Sequence, residues 1–385
     1  MIMISENVFS VGVKDWNRRL FDALIPLPKG TSYNSYLVKG SDKNALIDTV
    51  NPGFEKELIK NISEITDLRK LNYLIMNHAE PDHAGSIPVI MERSSAVLIT
   101  TKKGAEMAKI YYKVPDNRIK VVKEGDTINL GDKTLRFIEA PWLHWPETMF
   151  SYLVEDKILF TCDFFGSHTA FGIYDEDVED LISNSQRYFG EIMMPYRAMG
   201  KAAIEKLKNY KVNMIAPSHG PIYKNPEIIL DQYKKWTAGE TREKVIIVYT
   251  TMWNSTEKMV ETIMKPLIAE GIEVARYNLA NADIGDIAKD LVDSRAIILG
   301  APTVVGSLHP LALHGLQLVN TLKPPIKYGV ILNSYGWGKG AVVKIIEQLP
   351  KSIEPVGAVE INGPPTDDKE ITDIGVKLAQ KIKQG

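Results

Sequence analysis

The chain has 385 residues, 44% of them apolar and 24% charged, with 46 Lys and Arg against 48 Asp and Glu and a single Cys. That length suggests two or three domains, the balance of apolar and charged residues excludes wholesale disorder, and near neutrality without a basic tail leaves no electrostatic footprint for nucleic acid. The lone thiol, Cys162, excludes an intrachain disulfide, a Cys-ligated zinc and a Cys-held iron–sulfur cluster on this chain, and fits a reducing, cytoplasmic setting.

The opening run MIMISENVFSVGVKDWNRRL reaches charge at Glu6 and has no apolar core of signal-peptide length. No stretch approaches about 18 consecutive apolar residues, so no membrane-spanning helix is expected. Strand-like runs then come in pairs: SYNSYLVKG with NALIDTV, turning at Gly40 and Ser41, and MFSYLVED with KILFTCD, turning at Glu155 and Asp156. Helical patterns fall near 53–66, 103–112, 177–193 and 199–209. This mixture predicts a mixed sheet covered by helices. The polar stretch TAGETRE, 237–243, has no apolar periodicity and reads as a linker. Beyond it the grammar changes. Apolar runs KVIIVYTT, EVARYNL, AIILGAP, KYGVILNS and EPVGAVEI alternate with helix-like segments near 255–270, 282–293, 309–321, 339–349 and 367–383. Such βα alternation predicts a small doubly wound parallel sheet, which takes its ligand beyond the C-terminal ends of the strands. The expected domains are therefore 1–242 and 243–385.

Two constellations carry chemistry. The first begins in MNHAEPDHAG, residues 76–85, where His78, Glu80, Asp82 and His83 fall within six positions after a buried-strand pattern. Four such side chains in one strand-to-helix loop each need a partner, and a metal satisfies them together. His144 between two Trp in PWLHWPETM, Asp163 at the end of KILFTCD and His219 in IAPSHGP also lie at strand ends, where one rim of a sheet would gather them. Four imidazoles and three carboxylates are too many for one ion and suit two, with Asp163 as the natural bridge. Mixed imidazole and carboxylate ligands fit iron or manganese without excluding zinc. His168 and His314 read as structural and His309 as a surface loop residue.

The second constellation is three loops after strands of the doubly wound half. Thr251, Met252, Trp253, Asn254, Ser255 and Thr256 precede a helix and offer hydroxyls and amides for a monophosphate at its N-terminus. The loop 300–310 contains Pro302, Thr303 and Val304; the loop 333–342 contains Ser334, Tyr335, Gly336, Trp337, Gly338 and Gly340. Glycines there admit a flat ligand close to backbone, and Tyr335 and Trp337 can stack on a ring.

The strand-loop motif, the lone His, the Asp after a hairpin strand and the final SHG are similar to the metallo-β-lactamase superfamily, which usually carries H-x-H-x-D-H. Here Glu80 takes the place of the second His. The string H-x-E-x-D-H, followed by LHWPETM and then a flavodoxin-like half, resembles the flavodiiron proteins along the whole chain, and within them the coenzyme F-420-dependent oxidases of methanogens. That resemblance implies a metallo-β-lactamase-like αβ/βα sandwich followed by a flavodoxin-like domain, with FMN in the three loops and two non-haem irons. One iron takes His78, Glu80 and His144, the other Asp82, His83 and His219, and Asp163 bridges. It also implies a head-to-tail homodimer or a dimer of dimers. Reduced flavin plus two ferrous ions store four electrons, enough to take dioxygen to two waters; two electrons suffice to couple two nitric oxides into nitrous oxide. The expected activity is oxygen reduction with reduced coenzyme F-420 as donor. A rubredoxin-linked nitric oxide reductase is the alternative, and a zinc hydrolase, which would leave the flavodoxin half unexplained, the third choice.

Overall fold

The computed structural model describes residues 1–338 and 341–385. It divides into two compact units, one of residues 1–189 and 196–234, the other of residues 190–195 and 235–385.

The first unit is built on two sheets. One is seven-stranded, in the order Ile2–Ser5, Val8–Ser10, Tyr36–Lys39, Asn44–Ile47, Leu71–Ile75, Val97–Thr100 and Ile119–Val121. The other is five-stranded, in the order Thr127–Asn129, Thr134–Glu139, Met149–Leu153, Ile158–Cys162 and Met214–Pro217. Period-two alternation sorts the side chains. Tyr36, Val38, Ala45 and Ile47 share a core with Leu135, Phe137, Ile158 and Phe160 of the facing sheet. Their neighbours Leu37, Leu46, Leu74 and Leu98 point the other way, onto Leu58 and Ile62 of the helix Glu55–Ser63 and Ala108 and Tyr112 of the helix Lys102–Tyr112. Sheet packs on sheet, and helices cover the outside, as the sandwich expectation requires. Both expected hairpins form: Tyr36–Lys39 with Asn44–Ile47, and Met149–Leu153 with Ile158–Cys162. The expected helix over 177–193 is broken instead into Leu181–Tyr188 and a wider turn at Phe189–Met193.

The second unit has five parallel strands in the order Glu273–Asn278, Arg242–Tyr249, Ser294–Val304, Tyr328–Tyr335 and Glu354–Asn362. In chain order that is 2-1-3-4-5, the flavodoxin-like winding. Central strands buried on both faces must be continuously apolar, which is why VIIVY and IILGA were legible as strands. Helices Ser255–Ala269 and Lys369–Gln384 bury Val260, Ile263, Leu378 and Ile382 against the sheet. The helix Pro226–Ala238 runs into the polar TAGETRE stretch, and the strand Arg242–Tyr249 begins before its end, so only 239–241 lies outside regular structure. Gly340, one of the expected loop glycines, lies outside the described residues. Among the described residues no helix is long and apolar enough to cross a membrane.

Candidate functional site

The strand Leu71–Ile75 ends inside the first unit, and the chain then runs through 76–80 into the short helix Pro81–Ala84, with Pro81 at its first turn. Three contacts hold this segment in place. Asp48 accepts the Asn77 N–H at 2.8 Å, Thr49 donates its N–H to the His83 carbonyl at 2.7 Å, and the Tyr112 hydroxyl donates to the Ala79 carbonyl. The result is that His78, Asp82 and His83 are buried together, alongside Asp163, which follows the strand Ile158–Cys162, and His219, which follows Met214–Pro217.

The seven expected ligand candidates sort into two groups: His78, Glu80, His144 and Asp163, and Asp82, His83 and His219. In the first, His78 Nε2 lies 3.2 Å from Glu80 Oε2 and 3.3 Å from Asp163 Oδ2, while His144 Nε2 lies 3.0 and 3.3 Å from the same two oxygens. In the second, Asp82 Oδ2 is 3.4 Å from His83 Nε2 and 3.2 Å from His219 Nε2. Asp163 Oδ1 turns to this group, 2.9 Å from His83 Nε2 and 3.5 Å from His219 Nε2. One carboxylate thus presents one oxygen to each group.

Both Asp82 oxygens, His83 Nε2 and Asp163 Oδ1 are buried without a hydrogen-bond partner among the described residues. His83 Nε2 and Asp163 Oδ1 lie 2.9 Å apart without forming a hydrogen bond to each other. Buried polar atoms without partners are costly, and a cation held among Asp82, His83 and Asp163 relieves them. The far ring nitrogens support the same orientation: His78 Nδ1 meets Glu147 Oε1 at 2.8 Å and His219 Nδ1 donates to the Ser32 carbonyl at 2.6 Å, which leaves each Nε2 facing inward. Burial opposes charge on His83, but Asp82 and Asp163 raise it to about 9; burial likewise opposes His144, which hydrogen bonds to Asp163 and Glu80 raise to about 9. Burial would raise Asp163, yet the surrounding imidazoles, His83 first, hold it well below the usual carboxylate range. Asp163 thus stays ionised and ready for cations. Cys162 adjoins His83 and Asp163, but burial pushes its thiol well up, so it stays protonated.

Two neighbours of the cluster were not singled out in the sequence. Glu147, behind His78, is hidden in the PETM string. Thr31 places its Oγ1 3.0 Å from His168 Nδ1 and 3.3 Å from His219 Nδ1. His168 packs its ring 4.8 Å from that of His219, and burial holds its imidazole well below the usual range, so it is a neutral neighbour of the cluster.

In the second unit, a cleft of about 230 Å³ opens beyond the strand ends, lined by Met252, Thr303, Val304, Val305, Gly306, Gly336, Trp337 and Gly338. All three expected loops contribute to it. Thr251, Trp253, Asn254, Ser255, Pro302, Ser334 and Tyr335 stand off its lining. Thr256 is turned inward, its hydroxyl 2.9 Å from Ser334 Oγ, so it ties the start of the helix Ser255–Ala269 to the end of the strand Tyr328–Tyr335 rather than offering a free donor. Thr251 Oγ1 is buried without a partner among the described residues, beside the N-terminus of the helix Ser255–Ala269, where the Asn254 side chain makes no cap. Val305 and Gly306 were missed. They form a two-residue turn, φ +48° and +69°, joining Ser294–Val304 to the short strand Ser307–Leu308. The signal was a lone Gly after an apolar run. His309 caps the next helix, its Nδ1 accepting the Leu311 N–H at 3.2 Å, and His314 lies exposed on that helix.

Residues 31–220 match the family model described as ODP family beta lactamase. The chain is 36% identical to a nitric oxide reductase of Moorella thermoacetica, covering 99% of this chain and 98% of that protein. It is 35% identical to a coenzyme F-420 oxidase of Methanocaldococcus jannaschii, covering 99% and 97%. The structure of the rubredoxin oxygen:oxidoreductase from Desulfovibrio gigas superimposes with a TM-score of 0.96 at 29% identity, covering 100% of this chain and 98% of that one. With both halves matched end to end at these identities, the chain belongs to the flavodiiron protein family, a family of oxidoreductases.

Proposed function

We propose that this protein is a flavodiiron oxygen reductase: it binds FMN in the cleft of the second unit and two irons in the cluster of the first, and reduces dioxygen to water with electrons from reduced coenzyme F-420. The observation that carries this reading is the convergence of buried, unpartnered ligand atoms around Asp163, whose two oxygens face different groups. His78, Glu80 and His144 would hold one iron and Asp82, His83 and His219 the other, with Asp163 between them. When bound, the irons and flavin together supply the four electrons that dioxygen consumes on its way to two waters. The protein's own contribution is to gather four imidazoles and three carboxylates in one largely buried cluster, with His78 and His219 oriented through their far ring nitrogens by Glu147 and the Ser32 carbonyl. Held as an iron ligand with His83 and His219, Asp82 would not be free to serve as a hydrolytic base.

For the flavin, Thr251 Oγ1 and the uncapped N–H groups of the helix Ser255–Ala269 offer donors to a phosphate, and Gly336 and Gly338 leave room for a ring, since a Cβ at either would meet nothing within 4 Å among the described residues. Electrons would pass through FMN, between the sites of two copies in a head-to-tail dimer, in a cytoplasmic protein that detoxifies oxygen.

Nitric oxide reduction with a rubredoxin donor is the second reading, supported by the Moorella relative, whose identity to this chain is within a point of the methanogen relative's. Anaerobic turnover with reduced coenzyme F-420 or reduced rubredoxin, each against dioxygen and nitric oxide, separates the two. Rapid oxygen consumption with the deazaflavin donor is the expected result. Zinc in place of iron, with no flavin spectrum, would overturn both.

A further inference from the structure

Glu147 sits between Pro146 and the strand Met149–Leu153, wholly buried. Its Oε1 accepts two hydrogen bonds, from the Ala79 N–H at 2.7 Å and from His78 Nδ1 at 2.8 Å. Its Oε2 has no hydrogen-bond partner among the described residues. Thr101 holds the Glu147 backbone from the other side, donating its hydroxyl to the carbonyl at 2.9 Å. The Glu147 carboxylate is therefore fixed in place, half satisfied and out of water. Such a group is costly unless a compensating charge lies close. The compensation on hand is whatever cation the Nε2 face of His78 carries.

The other fully buried imidazoles are backed differently. His219 Nδ1 faces a neutral carbonyl, Ser32 O at 2.6 Å, and His83 Nδ1 has no partner among the described residues. Among these three rings only His78 backs onto a carboxylate. A carboxylate that accepts the Nδ1 proton makes the opposite nitrogen more basic and fixes its tautomer and tilt. We propose that Glu147 is a positioning residue that strengthens His78 as a ligand and so makes the two metal positions inequivalent, favouring the ferric state at the iron grouped with His78, Glu80 and His144. This inference rests on the di-iron reading above.

Two variants test it. Glu147→Gln keeps an amide oxygen for the Ala79 and His78 N–H groups and puts its nitrogen at Oε2, which has no donor against it; the acceptor stays and the charge is lost. Glu147→Ala removes the acceptor as well. Ferrous iron affinity is measured by chelator competition, the potentials of the two irons by titration followed with electron paramagnetic resonance, and the melting temperature on iron-free protein. The expected result is that Glu147→Ala weakens one of the two irons roughly 10- to 100-fold. Glu147→Gln should retain both irons but raise the potential of one alone; a tenfold preferential loss of ferric binding reads as about 59 mV. Wild-type affinities and potentials in Glu147→Gln would overturn the inference. Equal effects on both irons, or an effect accompanied by a matching fall in the melting temperature of the iron-free protein, would overturn it too. If Glu147→Ala does not accumulate as folded protein, the Gln variant decides alone. A wild-type protein that takes up no iron would instead count against the di-iron reading itself.

Discussion

Replacing Asp48 by asparagine should remove a pH-dependent penalty from the iron-free protein. Asp48 follows the strand Asn44–Ile47 and is 3% exposed, with its N–H on the Ile75 carbonyl at 2.8 Å and its Oδ1 on the Asn77 N–H at 2.8 Å. Burial raises its carboxyl from 3.8 to about 6, against the opposing pull of His83 and of that N–H. A carboxyl raised in the folded state contributes stability below the unfolded value, and that stability is lost as pH rises through the folded value. A rise of about two units is ~3 kcal/mol by pH 7. In Asp48→Asn the new side chain carries no charge, keeps an acceptor for the Asn77 N–H and tolerates the φ of +54° at this position. Measured against wild type, the variant should therefore gain ~3 kcal/mol between pH 4 and pH 7. Hydrogen exchange of peptides spanning Asn44–Ile47 reads the first unit alone, and comparing variant with wild type at each pH cancels the intrinsic exchange rate. The ratio of protection should grow roughly a hundredfold over that range. A ratio independent of pH would refute the reasoning. Bound cations should shrink the effect, so the iron-free protein is the one to use.

Gly338→Ala places a methyl where nothing among the described residues lies within 4 Å, so the unliganded fold should be unchanged while FMN affinity falls; equal affinity in titrations of flavin-free protein would move the ring elsewhere. Thr251→Ala should weaken FMN by roughly tenfold or more through loss of a hydrogen bond to a charged group, whereas Thr256→Ala should act through melting temperature, because its hydroxyl serves Ser334. Glu80→His restores H-x-H-x-D-H. It should fold, bind zinc more readily and lose oxygen reduction while its flavin is still reduced by the donor; flavin reoxidation by oxygen at the wild-type rate in stopped flow would remove Glu80 from the iron ligands.

The sequence by itself determined whatever depends on local period and residue type. The central runs KVIIVYTT, AIILGAP and KYGVILNS had to be strands of a covered sheet, because a parallel strand buried on both faces has no polar side to offer. The string His78-x-Glu80-x-Asp82-His83 declared a metal loop because so many ligand types in six positions have few other ways to be satisfied. Only the tertiary structure decided how those residues share their atoms. That Asp163 gives one oxygen to each group follows from where the strand Ile158–Cys162 ends within its sheet, and no spacing in the chain encodes it. Glu147 lies 69 positions from His78, and its hydrogen bond exists only because two sheets pack face to face. Thr256 looked like a phosphate ligand from its place before a helix, yet the register of the Ser294–Val304 and Tyr328–Tyr335 strands brings Ser334 to it first. Polar TAGETRE read as a linker, but the helix Pro226–Ala238 extends into it, because polarity alone does not stop a helix when no Pro or Gly intervenes before Gly239. Periodicity reports which face of an element is buried. Which side chains then meet across elements is set by long-range packing, which no local pattern records.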